Sequence, residues 1–181
     1  MSASNFETER LLIRPCVMGD LDAAHHALDI HPDVWRFDPG RARTLEERRE
    51  ELQFRIKQYQ RDEFGMMAVT LKAGVLIGYV GLQTYILPTV PLATPEVELF
   101  YKLGRDYWKH GYASEACRAL IRHAFAELRL TRIVTVTHKD NAHSIALLRR
   151  LGMRIVTAPP TWQDDVLGIL DNALHSETGG R

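Results

Sequence analysis

A strand-like run, a glycine-containing turn and a long amphipathic helix follow one another between residues 97 and 128, and this succession constrains the fold most. The run covers residues 97–103, and the turn lies within residues 108–112. From Ala113 to Leu128, small and apolar residues recur at steps of three and four, which is typical of one face of a helix. The sequence therefore predicts a strand, a turn and a helix in immediate succession.

The turn itself has the chemistry of an anion site. The first amides of a helix have no helical partner, and the helix dipole places partial positive charge beside them. A side chain at Gly111 would hold an anion away from the backbone, so a glycine here favours close approach. The turn thus predicts a ligand that carries phosphate.

The rest of the chain alternates between the two kinds of periodicity. The predicted order is β-α-α-β-β-β-α-β-α-β-β, with loops at 33–43 and 87–95. Expected helix caps are Asp20, Thr44 with Glu47, Asn141, and Gly152 as a C-terminal glycine. The predicted strands are 6–15, 66–71, 75–82, 96–103, 132–137, 153–156 and 165–170, and the helices are 21–28, 45–61, 113–128 and 142–151.

Composition limits the classes of protein to which the chain can belong. With 181 residues we expect one domain over 1–175 and a disordered tail at 176–181. A net charge of zero argues against a nucleic-acid surface, and the arginine clusters at 41–49 and 149–154 are expected to be solvated. No apolar run reaches the ~20 residues of a membrane span.

The cysteines, histidines and glycines narrow the classes further. Cys16 and Cys117 form no disulfide framework, and the first residues show no signal-peptide pattern, so we expect a cytoplasmic protein with Cys117 in its core. The histidines lack metal-site spacing, so no metal is expected. Neither Gly-x-x-x-x-Gly-Lys-[Ser/Thr] nor Gly-x-Gly-x-x-Gly after a strand occurs, which makes another kind of nucleotide-binding protein a weaker alternative.

Several short motifs, in this order and at this spacing, resemble the Gcn5-related N-acetyltransferase (GNAT) superfamily. Within it the chain is similar to the branch of ribosomal-protein N-terminal acetyltransferases, the RimJ/RimL type. The resemblance implies an α/β (α+β) fold: a mixed, mostly antiparallel sheet of about seven strands, splayed between the fourth and fifth and flanked by about four helices. The motifs are Glu9–Pro15 with Asp20-Leu21, Glu98–Tyr101, Trp108–Ala116, Asn141–Ser144 and Leu151–Met153.

The resemblance also implies an activity: acetyl-CoA-dependent N-acetyltransfer to a primary amine, by direct transfer in a ternary complex. The turn would hold the pyrophosphate of acetyl-CoA, and backbone N–H groups freed by a bulge in the fourth strand would serve the carbonyl and the pantetheine arm. Asn141 would bond that arm, or simply cap its helix. The implied cofactor-binding residues are Leu99, Phe100, Tyr101, Lys109, His110, Gly111, Tyr112, Ala113 and Asn141.

Two residues are candidates for the catalytic chemistry. Glu98 is the candidate base, directly or through water, because apolar neighbours would raise the pKa of its carboxyl group; the alternative is a surface residue of an alternating strand. Glu96 shares its face and is the second choice. Ser144 is a candidate to donate to the leaving sulfur, or to act only in local capping.

Other features of the sequence bear on the acceptor and on catalysis. Trp35 and Phe37 lie where similar proteins wall the acceptor pocket, although simple packing is equally compatible. Leu148 stands where many members carry a tyrosine that protonates the thiolate, and Lys109 stands where glycine is common. These departures keep open a non-catalytic acyl-CoA binding or sensor module. The acceptor is a protein N-terminus or a small-molecule amine, with no nucleic acid or membrane as partner, and the protein is a monomer or a homodimer.

Overall fold

The computed structural model describes residues 5–37, 40–87, 94–157 and 164–173. The predicted tail at 176–181 lies outside these residues. Within them the chain forms eight strands and four α-helices, with short 3-10 helices at Met18–Asp20, Pro32–Trp35 and Arg105–Tyr107. The strands are β1 Phe6–Glu7, β2 Leu11–Pro15, β3 Met66–Leu71, β4 Leu76–Leu87, β5 Thr94–Leu103, β6 Arg132–His138, β7 Arg154–Thr157 and β8 Asp165–Asp171; the helices are α1 Leu21–Asp29, α2 Leu45–Asp62, α3 Tyr112–Ala126 and α4 Ala142–Arg150.

All eight strands belong to one sheet in the order β1-β2-β3-β4-β5-β6-β8-β7. Neighbours are antiparallel except β5 and β6, which are parallel and pair, within the described residues, only at Glu98 and Val134. The predicted mixed sheet, splayed between the fourth and fifth predicted strands, is therefore confirmed. Beyond the pair of Glu98 and Val134, β5 and β6 are no longer joined by pairing, and this leaves a gap between them.

The predicted first strand, 6–15, is two strands rather than one. Phe6 pairs with Ile13, so β1 folds back on β2 as a hairpin. The backbone and hydroxyl of Thr8 exchange hydrogen bonds with the backbone of Leu11, which closes the turn. A continuous strand would have left these polar groups without that local partner.

The central hairpin, β4 with β5, is longer than predicted. Its register is unbroken from Gly78 opposite Leu103 to Leu87 opposite Thr94, so the ends of the predicted loop 87–95 belong to strands. Residues 88–93 lie outside the described residues. The unbroken register also shows that the predicted bulge does not interrupt the pairing of β5 with β4; the gap follows instead from the short pairing of β5 with β6.

The two faces of the sheet carry different cores. Helices α3 and α4 cover an apolar face, where Leu99 and Leu148 are fully buried; Cys117 is also fully buried there, as predicted. Helices α1 and α2 cover the other face, where Trp35 and Tyr79 pack beside buried charged groups. Because side chains alternate along a strand, consecutive residues of β5 serve opposite faces.

The expected helix caps are confirmed in three cases of four. Thr44 and Glu47 form the capping box of α2, Asn141 caps α4, and Gly152 has the positive φ of a C-terminal glycine. Asp20 precedes α1 but makes no capping bond. Its carboxylate instead accepts a hydrogen bond from the backbone N of Val17, which caps the preceding 3-10 helix, and binds the guanidinium of Arg14 through both oxygens.

Candidate active site

The turn at 108–112, called the anion-binding turn after its expected ligand, has the predicted place and an unusual backbone. Helix α3 begins at Tyr112, and both Gly111 (φ 82°) and Lys109 (φ 65°) adopt the left-handed conformation. Such a φ explains why glycine is common in place of Lys109, since a side chain is strained there. Among the described residues, the amides from Lys109 to Ser114 have no hydrogen-bond partner in the protein. They are therefore available to an anion.

Arg10 holds this turn from the N-terminal hairpin. Its Nη1 donates to the carbonyl oxygen of His110 (2.9 Å), and its Nε donates to Glu115 in the first turn of α3 (2.8 Å). The guanidinium also lies over the ring of Tyr112, 4.6 Å from its centroid. A Cβ at Gly111 would lie 3.3 Å from Arg10 Nη2, which is a tight contact, so the glycine leaves room for the guanidinium beside the turn.

Sequence reasoning missed Arg10 and Glu115 as parts of the site, although both lie within the motifs that carried the resemblance. Burial raises the pKa of the Glu115 carboxyl group, but hydrogen bonds from Thr8 and from the backbone and side chain of Arg10 outweigh burial. The net effect lowers the pKa of Glu115. The carboxylate form is thus the one that braces the turn.

Glu98 lies where β5 and β6 meet. Its side chain is 8 % exposed, so the alternative that it is a surface residue is wrong. Oε2 accepts a hydrogen bond from Gln83 Nε2 (2.7 Å), and Oε1 lies 3.4 Å from the backbone N of Val136 on β6. The carboxylate therefore lies between β4 and β6 where the gap begins, on the face of the sheet that α1 and α2 cover.

Glu96 lies two residues earlier on the same face of β5, but its surroundings differ. Its carboxylate is 3.5 Å from Arg132 Nη1, and Arg132 also binds Asp171. An exposed arginine thus engages Glu96 near the start of β6. This pairing favours Glu98 over Glu96 as the candidate base.

The gap also exposes backbone groups of β5. Thr135 Oγ1 on β6 donates to the carbonyl oxygen of Leu99 (2.8 Å), so Leu99 presents its backbone to β6. Strand residues alternate in the direction of N–H and C=O, so Leu99 and Tyr101 face the gap, whereas Phe100 faces Gly81 of β4. Of the three predicted amides, that of Phe100 is therefore turned away from the gap, and that of Leu99 is engaged where β5 pairs with β6, which leaves the amide of Tyr101.

On the opposite face, α4 brings a polar pair against β5. Asn141 Oδ1 accepts from the backbone N of Ser144 (3.2 Å), which is the expected cap. The Ser144 hydroxyl is 2.7 Å from that of Tyr101, so it contacts β5 as well as its own helix. Burial raises the pKa of Tyr101, which keeps the phenol neutral. Leu148 is fully buried nearby.

The two predicted acceptor residues have different environments. Trp35 is buried, its Nε1 donates to the carbonyl oxygen of Leu28 (2.7 Å), and its ring lies against Lys102 Nζ (3.7 Å). These contacts favour a packing role for Trp35. The ring of Phe37 lies 5.3 Å from that of His138 at the end of β6, close to the gap. Phe37 is thus the better candidate to contact an acceptor.

A buried ionic cluster lies behind Trp35. The guanidinium of Arg48, 1 % exposed, donates to both carboxylate oxygens of Asp29 (2.8 Å each) and also to Glu51. The expectation that the arginines at 41–49 are solvated was therefore wrong for Arg48. Sequence alone gave no sign of this pair, because Asp29 is on α1 and Arg48 is on α2.

Two features are absent from the residues that the structure describes. Within those ranges, no helix is both long and apolar enough to cross a membrane. The same ranges contain no group of three or more His, Cys, Asp or Glu residues that could hold a metal ion.

A sheet parted beside a helix start with free amides agrees with the fold that the sequence motifs implied. The family model described as acetyltransferase (GNAT) domain matches residues 10–154, and the chain belongs to this family. By class it is an N-acetyltransferase.

Individual relatives agree with this assignment. The chain is 26 % identical over 148 residues to the N-acetyltransferase YnaD of Bacillus subtilis, itself uncharacterised, with 81 % of each chain covered. It is 42 % identical over 57 residues to the uncharacterised N-acetyltransferase p20 of Bacillus licheniformis, a match that spans 32 % of each protein. Its fold is similar to that of RimL, the ribosomal L7/L12 alpha-N-protein acetyltransferase, in complex with coenzyme A: TM-score 0.76, 20 % identity, covering 93 % of this chain and 98 % of RimL.

Proposed function

We propose that this protein moves an acetyl group from acetyl-CoA to a primary amine by direct transfer in a ternary complex. The observation that carries the proposal is the position of Glu98, a buried carboxylate at the mouth of the gap. The anion-binding turn follows on the next element of the chain. Family membership and the similarity to a coenzyme A complex support acetyl-CoA as the donor.

The residues that would hold the donor lie on β5, at the start of α3 and at the start of α4. The free amides at Gly111 and Ala113 suit a pyrophosphate, since they add backbone donors to the positive end of the α3 dipole. The amide of Tyr101 suits a carbonyl group of the acetyl-pantetheine arm, whereas that of Leu99 is engaged where β5 pairs with β6. Asn141 retains its side-chain NH₂ for the same arm, because its cap uses only Oδ1.

The reaction needs one proton acceptor and one donor to the leaving group. The amine nitrogen attacks the thioester carbon, the C–S bond breaks, and the proton lost by nitrogen passes to Glu98, directly or through water. The thiolate accepts a hydrogen bond from the Ser144 hydroxyl, which the neutral phenol of Tyr101 supports from 2.7 Å. Holding both substrates in the gap supplies most of the remaining acceleration.

The acceptor is proposed at the level of its chemistry, a primary amine on a protein N-terminus or a small molecule. RimL is described as an alpha-N-protein acetyltransferase, and at 20 % identity the likeness shows the fold alone. A panel of N-terminal peptides, amino acids, polyamines and aminoglycosides, assayed by release of free thiol, identifies the acceptor. We propose a cytoplasmic enzyme, monomeric or homodimeric, that requires no metal.

The proposal is tested by Glu98→Gln. Removing the proton acceptor should lower kcat near neutral pH by about 10²-fold or more, while the Kd for acetyl-CoA stays nearly unchanged. Thiol release with the best acceptor of the panel gives kcat, and calorimetry gives the affinity. Unchanged turnover across the pH range would remove Glu98 from the mechanism.

Glu96→Gln is the matched control, since it makes the same chemical change on the same face of β5. It should leave turnover nearly intact, because Glu96 is engaged by Arg132. The same assays separate the alternative of an acyl-CoA sensor. Binding of acetyl-CoA with no thiol release for any amine would favour the sensor and contradict the proposed transferase.

A further inference from the structure

A chain of three side chains links α2 to Glu98. Arg55 Nη1 donates to Gln83 Oε1 (2.8 Å), and Gln83 Nε2 donates to Glu98 Oε2 (2.7 Å). A guanidinium can only donate, so its bond to Gln83 fixes which end of the amide is oxygen. The NH₂ end is then the only one that Gln83 can offer to Glu98.

The backbone places this chain at the reacting end of the site. Gln83 on β4 is directly opposite Glu98 on β5, and directly opposed residues share a face of the sheet. Glu98 is also the residue at which β5 meets β6. The amide therefore reaches the carboxylate at the mouth of the gap, and Arg55 lies one step further from it.

Packing alone does not account for these residue types. A buried polar group costs free energy unless it is hydrogen-bonded, and an apolar pair at Gln83 and Glu98 would avoid that cost. Arg55 itself is held imperfectly: its Nε is buried and, among the described residues, has no hydrogen-bond partner. The Glu98 carboxylate is thus hydrogen-bonded, whereas Arg55 keeps a buried Nε without a partner among the described residues.

The charge of Arg55 also affects the ionisation of Glu98. Burial lowers the pKa of Arg55, while the carboxylates of Glu51 and Glu98 raise it, and Arg43 lowers it. This coupling is mutual, so the charge of Arg55 favours the ionised form of Glu98. From β4, Tyr85 also faces this carboxylate: burial raises the pKa of its phenol, and the charges of Glu98 and Asp165 raise it further, so the phenol stays neutral.

On the basis of the proposed function, we propose that Gln83 and Arg55 are positioning residues for the base. Arg55 fixes the orientation of the Gln83 amide, and the amide holds the Glu98 carboxylate at the gap as a proton acceptor. Neither side chain needs to touch the substrate. Their effect is on the protonation and direction of Glu98.

The test is a direct titration of Glu98 in the whole protein. With glutamate labelled by ¹³C at the carboxyl carbon, the Glu98 signal is assigned by its loss in Glu98→Gln. Gln83→Glu keeps an acceptor for Arg55 but replaces the donor to Glu98 by a like charge, and Arg55→Met removes the distant charge. Both should raise the pKa of Glu98, by about one pH unit or more for Gln83→Glu.

The kinetic counterpart is a shift of the acidic limb of kcat to higher pH. One unit of pKa corresponds to about a tenfold fall in kcat below the limb, with the KM for acetyl-CoA unchanged. Gln83→Leu, which adds no charge, provides a second variant if Gln83→Glu folds poorly. Thr84→Val, the exposed neighbour on the other face of β4, is the control and should shift neither the signal nor the limb.

The outcomes separate this inference from the proposed function. An unmoved Glu98 titration in folded Gln83→Glu and Gln83→Leu would overturn the positioning role, even if their activity falls. If the unsubstituted protein turned over no amine, the proposed function would fail, whereas the ¹³C titration would still report whether Gln83 and Arg55 control Glu98.

Discussion

The two ends of the candidate site hold their functional groups by different physical means. At the anion-binding turn, the donors are backbone amides, and the brace is Arg10, whose side chain is 43 % exposed, with Glu115. At the reacting end, the functional group is a buried side chain, Glu98, held through Gln83. The groups that hold the turn are thus partly exposed to solvent, whereas those that hold Glu98 lie in the interior.

This difference decides what each charge contributes. Exposed ion pairs contribute about 0–1 kcal/mol to stability, because water screens them. A buried pair that loses one partner costs about 3–5 kcal/mol, because a charge is left without compensation. We therefore expect the Arg10 brace to affect the geometry of the turn. The ionic cluster of Arg48 behind Trp35 should instead affect the stability of the fold.

The largest expected effect is that of Arg48→Met. It leaves the carboxylate of Asp29 buried without its guanidinium and should lower the free energy of unfolding by about 3–5 kcal/mol. Urea denaturation monitored by tryptophan fluorescence measures the loss. A decrease below about 1 kcal/mol would mean that the buried and exposed pairs are equivalent.

The double variant Asp29→Leu with Arg48→Met sharpens the result. Removing both charges should recover much of the lost stability, since no charge then remains unpaired between these two positions. Simple additivity of two large losses would contradict this explanation.

A smaller effect is expected for Arg10→Gln, and it should fall on donor binding. Loss of the bonds to His110 and Glu115 leaves the turn amides less fixed, so the KM for acetyl-CoA should rise about tenfold. Stability should change little, because the ion pair is exposed, and kcat should be nearly unchanged.

Arg122→Gln is the control for charge. It removes an arginine from the exposed face of α3, about three helical turns after the anion-binding turn. It should leave the KM for acetyl-CoA nearly unchanged. Equal increases in KM for both variants would indicate a general electrostatic effect and not a local brace.

The smallest expected effect is a dependence of the brace on pH. The pKa of Glu115 is lower in the folded protein than its ordinary value of 4.5, so its stabilising contribution is complete above that value. It is lost as the pH falls through the lowered pKa. The difference in Tm between the unsubstituted protein and Glu115→Gln should be largest above pH 4.5 and should shrink as the pH falls below that value. A constant difference would show that ionisation of Glu115 is not involved.

Local patterns in the sequence predicted much of the fold. Helix α3 and the capping box of Thr44 with Glu47 were predictable, because each depends on residues three or four positions apart. The turn at Gly111 was predictable for the same reason. The splay and the sheet class followed from the resemblance.

Contacts between distant segments could not be predicted in this way. The burial of Arg48 depends on Asp29, 19 residues earlier, and the donor to Glu98 is Gln83, 15 residues earlier. A single sequence contains no periodicity that connects such positions. The extended hairpin of β4 and β5 was missed because Pro95 suggested a loop, whereas proline is tolerated near the start of a strand.

The meeting of β5 and β6 at Glu98 has a consequence for the cohesion of the sheet. Within the described residues this is the one position where the two strands pair, and the nearby bond from Thr135 to Leu99 comes from a side chain. Five strands on one side and three on the other are thus joined through a narrow seam. If a pantetheine arm bonds the free amide of Tyr101 there, the donor adds a second link between the two parts of the sheet, and its departure removes that link.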